Sequence, residues 1–175
     1  MLASLLPAQG VAFAQSKADE YRVKAAFLFN FAQFVEWPAD QSAGKERPLT
    51  LCSIGDDRIH EALRSTVLGK KVNGSPVTIR FLMHPRDAFG CHVLFVASDE
   101  KKIVSAWLPE LRNAPMLTVG ETADFAEQGG MIRFCLDDDK VRFEINPTAA
   151  ERASLKISSR LLLLAKNIVG GRKQS

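Results

Sequence analysis

The sequence predicts a single-domain α/β fold: a mostly parallel sheet of about six strands with a C-terminal antiparallel hairpin, flanked by helices. Three observations predict it. Between Leu49 and Val119, short apolar runs alternate with amphipathic stretches, as in a parallel sheet crossed over by helices. After Met131 that alternation gives way to two short strands around Asp137-Asp138-Asp139, the pattern of a hairpin. The chain has 175 residues, 46% hydrophobic and 25% charged, with no internal repeat or composition break, which suffices for one core without a metal or dense disulfide framework.

The elements follow in order. Met1 to Ala14 carries no charge and ends in Ala12-Phe13-Ala14, small residues where a signal peptidase inspects the chain. Residues 1–14 therefore read as an export signal, truncated at its front because a basic n-region is missing, and residues 15–175 as the folded domain. Pro7 and Gly10 argue against a helix continuing through the signal. A capping-box-like Ser16-Lys17-Ala18-Asp19 opens a first helix over residues 18–36, which Pro38 stops. Its apolar positions Val23, Phe27, Phe31, Phe34 and Val35 keep helical spacing, but Leu28, Phe29 and Ala32 make a second side greasy. Such a helix is either buried between a sheet and another helix or offers part of its aromatic surface to a second chain.

Leu49 to Ile54 reads as a buried strand, followed by the cap Gly55-Asp56-Asp57 and an amphipathic helix over Ile59 to Val67. Val72 to Pro76 is a turn cluster, and Val77 to Met83 and Cys91 to Ala97 are further strands. Ser98-Asp99-Glu100 caps a helix over Lys101 to Asn113, and Pro115 to Val119 is the fourth strand. Met131 to Leu136 and Lys140 to Ile145 form the hairpin. Asn146-Pro147 then opens a last helix with Ala153, Ile157, Leu161, Leu164 and Ile168 on one stripe, closed by Gly170-Gly171.

Against this frame most chemistry is excluded. The 23 Lys plus Arg against 20 Asp plus Glu give a formal charge of +3, too small and too evenly spread for a nucleic-acid footprint. No run approaches the roughly 18 apolar residues of a membrane span. Neither phosphate-binding glycine motif occurs, and Gly55-Asp56-Asp57 would repel a phosphate with its carboxylates. His60, His84 and His92 lack metal-ligand spacing, the Asp137-Asp138-Asp139 run lacks the spaced donors of a calcium loop, and no nucleophile sits beside a base. No catalytic residue, metal or cofactor is assigned. Cys52, Cys91 and Cys135 fit no CxxC clip; in an oxidising compartment at least one pair should bridge, whereas in cytosol all three would be small buried hydrophobes. A 2-1-3 strand order would set Cys52 and Cys91 side by side, which makes that bridge geometrically possible.

Two segments carry a resemblance. Ala25-Ala26-Phe27-Leu28-Phe29-Asn30-Phe31 with Phe34-Val35-Glu36-Trp37-Pro38, and Val141 to Asn146 with Leu155-Lys156-Ile157-Ser158-Ser159-Arg160-Leu161, are similar to the YfiR family of periplasmic proteins. The similarity runs from Ala18 to about Ile168 and implies that Cys52 and Cys91 are the family's disulfide pair, with Cys135 lacking an evident partner. It further implies an exported protein that acts by binding: a repressor that engages the periplasmic sensor region of an inner-membrane diguanylate cyclase and is itself sequestered by an outer-membrane lipoprotein. Contact residues should be exposed and partly apolar. The candidates are Phe29 and Phe34 on the first helix and Phe143, Glu144, Lys156 and Arg160 near the C-terminus, with homodimerisation a further expectation from the aromatic first helix. The alternative is a periplasmic small-ligand binder using a crevice at the carboxyl ends of the parallel strands.

Overall fold

The computed structural model describes residues 9–39, 47–97 and 101–170. Met1 to Ala8 of the expected export signal, the greater part of the polar loop before Pro48, the expected Ser98-Asp99-Glu100 cap and Gly171 lie outside the described residues.

Helix α1 runs from Gln9 to Gln33, passing through Gly10, where a break was expected. It also ends earlier than the expected residue 36. Phe34 N donates to Phe31 O in a tight final turn, and Val35–Glu36 leave as a two-residue strand, β1. Next come β2 (Leu49–Ile54), α2 (Asp57–Val67), β3 (Lys71–Val72), β4 (Ser75–Leu82), a 3-10 turn (Pro85–Ala88) and β5 (Val93–Val96). Then follow α3 (Lys101–Leu111), β6 (Leu117–Gly120), β7 (Ile132–Asp137) and β8 (Lys140–Ile145). Asp56 caps α2 by accepting from Arg58 N, and Ile59, Leu63 and Val67 are its buried face.

An eight-stranded sheet has the order β10-β8-β7-β6-β5-β2-β4-β3, where β10 is Asn167–Ile168. Strands β4, β2, β5, β6 and β7 are parallel, with β2 between β4 and β5, as the 2-1-3 order requires. The strand count exceeds six because β3 and β10 are two-residue edge strands. Asn73-Gly74 turns β3 into β4 with both residues at positive φ (50° and 82°), the geometry of the two-residue hairpin. Asp138-Asp139 does the same between β7 and β8 at φ 47° and 58°.

The parallel strands bury both faces. Leu49 and Leu51 of β2 and Val93 and Phe95 of β5 face α1 and α2, whereas Cys52 and Ile54, and Leu94 and Val96, face Val104 and Leu108 of α3. The first layer is aromatic: Phe31 meets Phe143 edge-on at 4.9 Å and stacks on Phe134 at 5.7 Å.

The final helix is corrected. Residues after Asn146 form α4 (Pro147–Arg152), a two-residue strand β9 (Lys156–Ile157), α5 (Ser159–Leu164) and β10. Asn146 does cap α4, accepting from Ala149 N at 3.0 Å. Ser154, however, sits at φ 60°, which no helix continues through. β9 then pairs antiparallel with β1, Val35 opposite Ile157 and Glu36 opposite Lys156, and Ser158 caps α5. Hydrogen bonding to a segment more than a hundred residues earlier outweighs the helical periodicity, so Leu164 and Ile168 leave the expected buried stripe.

Candidate functional site

The six candidate contact residues divide sharply. Phe29 is 9% exposed; its ring packs into the α1/α2 core with the Lys70 ammonium 5.0 Å from its centroid. Phe143, 3% exposed, lies under α1 against Phe27 and Phe31. The expectation that these two rings face outward is therefore corrected: strand alternation puts Phe143 on the covered side of β8, and α2 covers Phe29. Phe34 is half-buried against the same core, and its carbonyl accepts from Ser158 N at 2.9 Å.

Glu144 lies on the opposite side of β8 from Phe143. It accepts from Arg133 Nε at 2.8 Å and from Asn167 Nδ2 at 2.9 Å. The Arg133 bond holds the Glu144 carboxyl below its usual range against the opposing effect of burial. Its visible work is to clasp β10 onto the sheet. Cys135, on the same face as Arg133, is a free, half-buried thiol, pushed up by burial.

Lys156 and Arg160 are exposed. Lys156 Nζ stands 3.8 Å from Glu36 across the β1–β9 ribbon, a solvated pair of little energetic weight. Arg160 lies on α5, whose six residues can bury only part of their leucines: Leu161 is buried, but Leu163 is 85% and Leu164 66% exposed. Ile168 of the adjacent β10 is exposed as well. Lys156, Arg160, Leu163, Leu164 and Ile168 are thus exposed residues of the consecutive elements β9, α5 and β10, and Leu163 and Leu164 follow Arg160 by one turn of α5, an apolar pair with a cation on the same face. Helical spacing assigns Leu164 and Ile168 to a buried stripe and leaves Leu163 off it, so the sequence alone does not single out this exposed leucine pair.

Two concavities lie on the surface of the described residues. At the carboxyl end of β6, a cavity of about 500 Å³ is lined by Glu20, Lys24, Glu121, Arg133, Cys135, Glu144 and Lys166. Its charges are largely matched: Lys24 pairs with Glu20 and Glu121, Arg133 with Glu144, and Lys166 with Asp137 at 3.0 Å. The larger, about 870 Å³, lies at the opposite, amino ends of β5 and β6, between the segment from His84 to Cys91 and the second half of α3. The carboxyl-end crevice expected for a small ligand is thus the lesser of the two. Cys91 on the wall of the larger pocket is bonded to Cys52, with Cα atoms 6.0 Å apart. Among the described residues no group of three metal-ligand side chains gathers, and no helix is long and apolar enough to cross a membrane.

A family model described as YfiR/HmsC-like matches residues 21–166. No curated protein matches the chain. Among solved structures, the crystal structure of a conserved domain protein from Vibrio cholerae O1 biovar eltor superposes with a TM-score of 0.52 at 13% identity, covering 68% of this chain and 54% of that one. An ABC domain in complex with L-Trp from Streptococcus pneumonia gives a TM-score of 0.46 at 11% identity, covering 69% and 55%. The chain therefore spans about half the length of each of these structures, and the likeness to the Vibrio cholerae structure concerns the fold alone.

Proposed function

Because the chain belongs to the YfiR/HmsC-like family, we propose that it is a periplasmic regulator that binds and represses the periplasmic sensor region of an inner-membrane diguanylate cyclase, lowering cyclic di-GMP signalling and biofilm formation. It works by binding and not by catalysis. The Cys52–Cys91 disulfide supports an oxidising compartment, where such a bond persists.

The observation that carries the reading is the exposed apolar patch of Leu163 and Leu164, one turn of α5 beyond Arg160 and with Lys156 exposed on the preceding strand. Exposed leucines on a short helix contribute nothing to the core and are suited to a partner's apolar surface, while the cations select an acidic rim and set register. Repression is then a population shift: the regulator holds the cyclase inactive by binding its inactive state more tightly, each tenfold of preference being about 1.4 kcal/mol. An outer-membrane lipoprotein that covers the same patch would relieve repression by competition.

The test is a double variant, Leu163→Asp with Leu164→Asp, with Arg160→Glu as a separate probe of charge. Both should keep the parent's melting temperature. The double variant is expected to lose binding to the cyclase's periplasmic region and to raise cellular cyclic di-GMP. A double variant that still represses overturns the assignment of the patch.

A further inference from the structure

The pocket at the amino ends of β5 and β6 is separate from the leucine patch, and its construction is unlike that of a chance surface hollow. One wall is the segment His84 to Cys91; the other is α3, which contributes Trp107 and Leu111, one turn apart on the same face, and Met116 also lines the pocket. The first wall is pinned before any ligand arrives. Arg80 donates from its two terminal nitrogens to Asp87 O (2.8 Å) and Phe89 O (3.0 Å), and Cys91 N donates to Ala88 O at 3.0 Å. Gly90 turns the chain at φ 83°, and the disulfide anchors the next residue. On this fixed backbone Phe89 is held 93% exposed, an aromatic ring kept in water at the pocket's mouth. A preformed wall of this kind loses little conformational freedom on binding.

Size and charge select the occupant. About 870 Å³ falls within the roughly 300 to 1,000 Å³ typical of small-molecule sites. The lining is dominated by apolar groups, and the loop wall adds Arg86 and His84. Arg86 is exposed and has no ion-pair partner among the described residues; one carboxylate, Glu110, stands on the α3 wall. We propose that this pocket binds a small planar apolar molecule carrying an anionic group, its body between Phe89 and Trp107 and its anion on the Arg86 guanidinium.

The test uses the full oxidised chain and two probes of similar apolar body: anilinonaphthalene sulfonate, which carries the anion, and phenylnaphthylamine, which does not. The sulfonate should bind saturably, one per chain, and quench Trp107 fluorescence in a Trp37→Phe background. Arg86→Glu should weaken the sulfonate about tenfold, the worth of one charge-assisted contact, and leave the neutral probe unchanged. Phe89→Ser should weaken both. Since both side chains are exposed, circular dichroism and melting temperature should match the parent, and Arg86→Gln provides a milder second variant. Absence of saturable binding, or sulfonate affinity unaltered by both substitutions, overturns the proposal; a neutral probe that binds as tightly as the sulfonate overturns its anionic part.

Discussion

Tyr21 and Asp56, 35 residues apart, meet through a 2.7 Å hydrogen bond from the Tyr21 hydroxyl to Asp56 Oδ2, which ties α1 to the cap of α2. The same carboxylate receives Arg58 at 2.7 Å and caps the helix through Arg58 N at 2.8 Å. Burial pushes the Asp56 carboxyl up, but bonds from Arg58 and Tyr21 outweigh it and hold the group at about 2. Tyr21 is raised well above its usual value, first by burial and then by the adjacent carboxylate.

The depressed carboxyl predicts an acid-labile tie. A carboxyl that ionises more easily folded than unfolded contributes stability that is present above its unfolded value of 3.8 and lost as pH falls towards about 2. With Arg58 largely solvated, about 1 to 2 kcal/mol is the appropriate scale. Melting curves between neutral pH and the acid limit should show that loss in the parent and a shallower one in Asp56→Asn, which starts lower.

Removing the disulfide should be costly. Cys52 and Cys91 enclose a separation of 39 residues, for which loop-closure entropy gives on the order of 4 kcal/mol. The paired Cys52→Ser, Cys91→Ser variant should unfold at markedly lower urea concentration than the oxidised parent and match the parent measured with reductant. Equal midpoints for the variant and the oxidised parent would contradict this.

Phe125, fully buried, has its ring edges against Gly120 and Gly130. A methyl group at either glycine would overlap that ring. Gly120→Ala should therefore destabilise by about 1 to 3 kcal/mol. Adding Phe125→Leu should recover part of the loss, a coupling visible in a double-mutant cycle by chemical denaturation.

Lys24 is buried on α1 between Glu20 and Glu121. Burial alone would lower its pKa, but the two carboxylates raise it above its usual value. Lys24→Met leaves two carboxylates facing each other and should cost about 3 to 5 kcal/mol, measured by urea unfolding at neutral pH. The ion pair's contribution is fully present below the unfolded value of 10.5 and fades as pH climbs past it towards the raised folded value, so the gap between parent and variant should narrow in strong alkali.

What was legible followed from local pattern. The apolar runs of β2 and β5 and the amphipathic spacing of Ile59, Leu63 and Val67 specify their elements directly. The β1–β9 ribbon was not legible, because two-residue strands carry no periodicity and their pairing is set by distant contacts. That pairing also reversed the meaning of Leu164 and Ile168, which fit a helical stripe and yet face solvent. Of the candidate contacts, Lys156 and Arg160 are exposed, as long charged side chains usually are, whereas Phe29 and Phe143 are buried; an aromatic residue alone does not reveal which face is covered. The amino-end pocket joins a loop to a helix some twenty residues onward and leaves no motif.

The two residues of β10 have a practical consequence. They occupy the flank of β8, with Val169 N donating to Ile145 O, and so cap a row of backbone groups that would otherwise be open to pairing. A protease nick just before Asn167 would uncover that row, turning a monodisperse preparation into one prone to strand-by-strand oligomer growth. Affinity handles and fluorescent fusions are accordingly safer when a generous spacer follows Gly170.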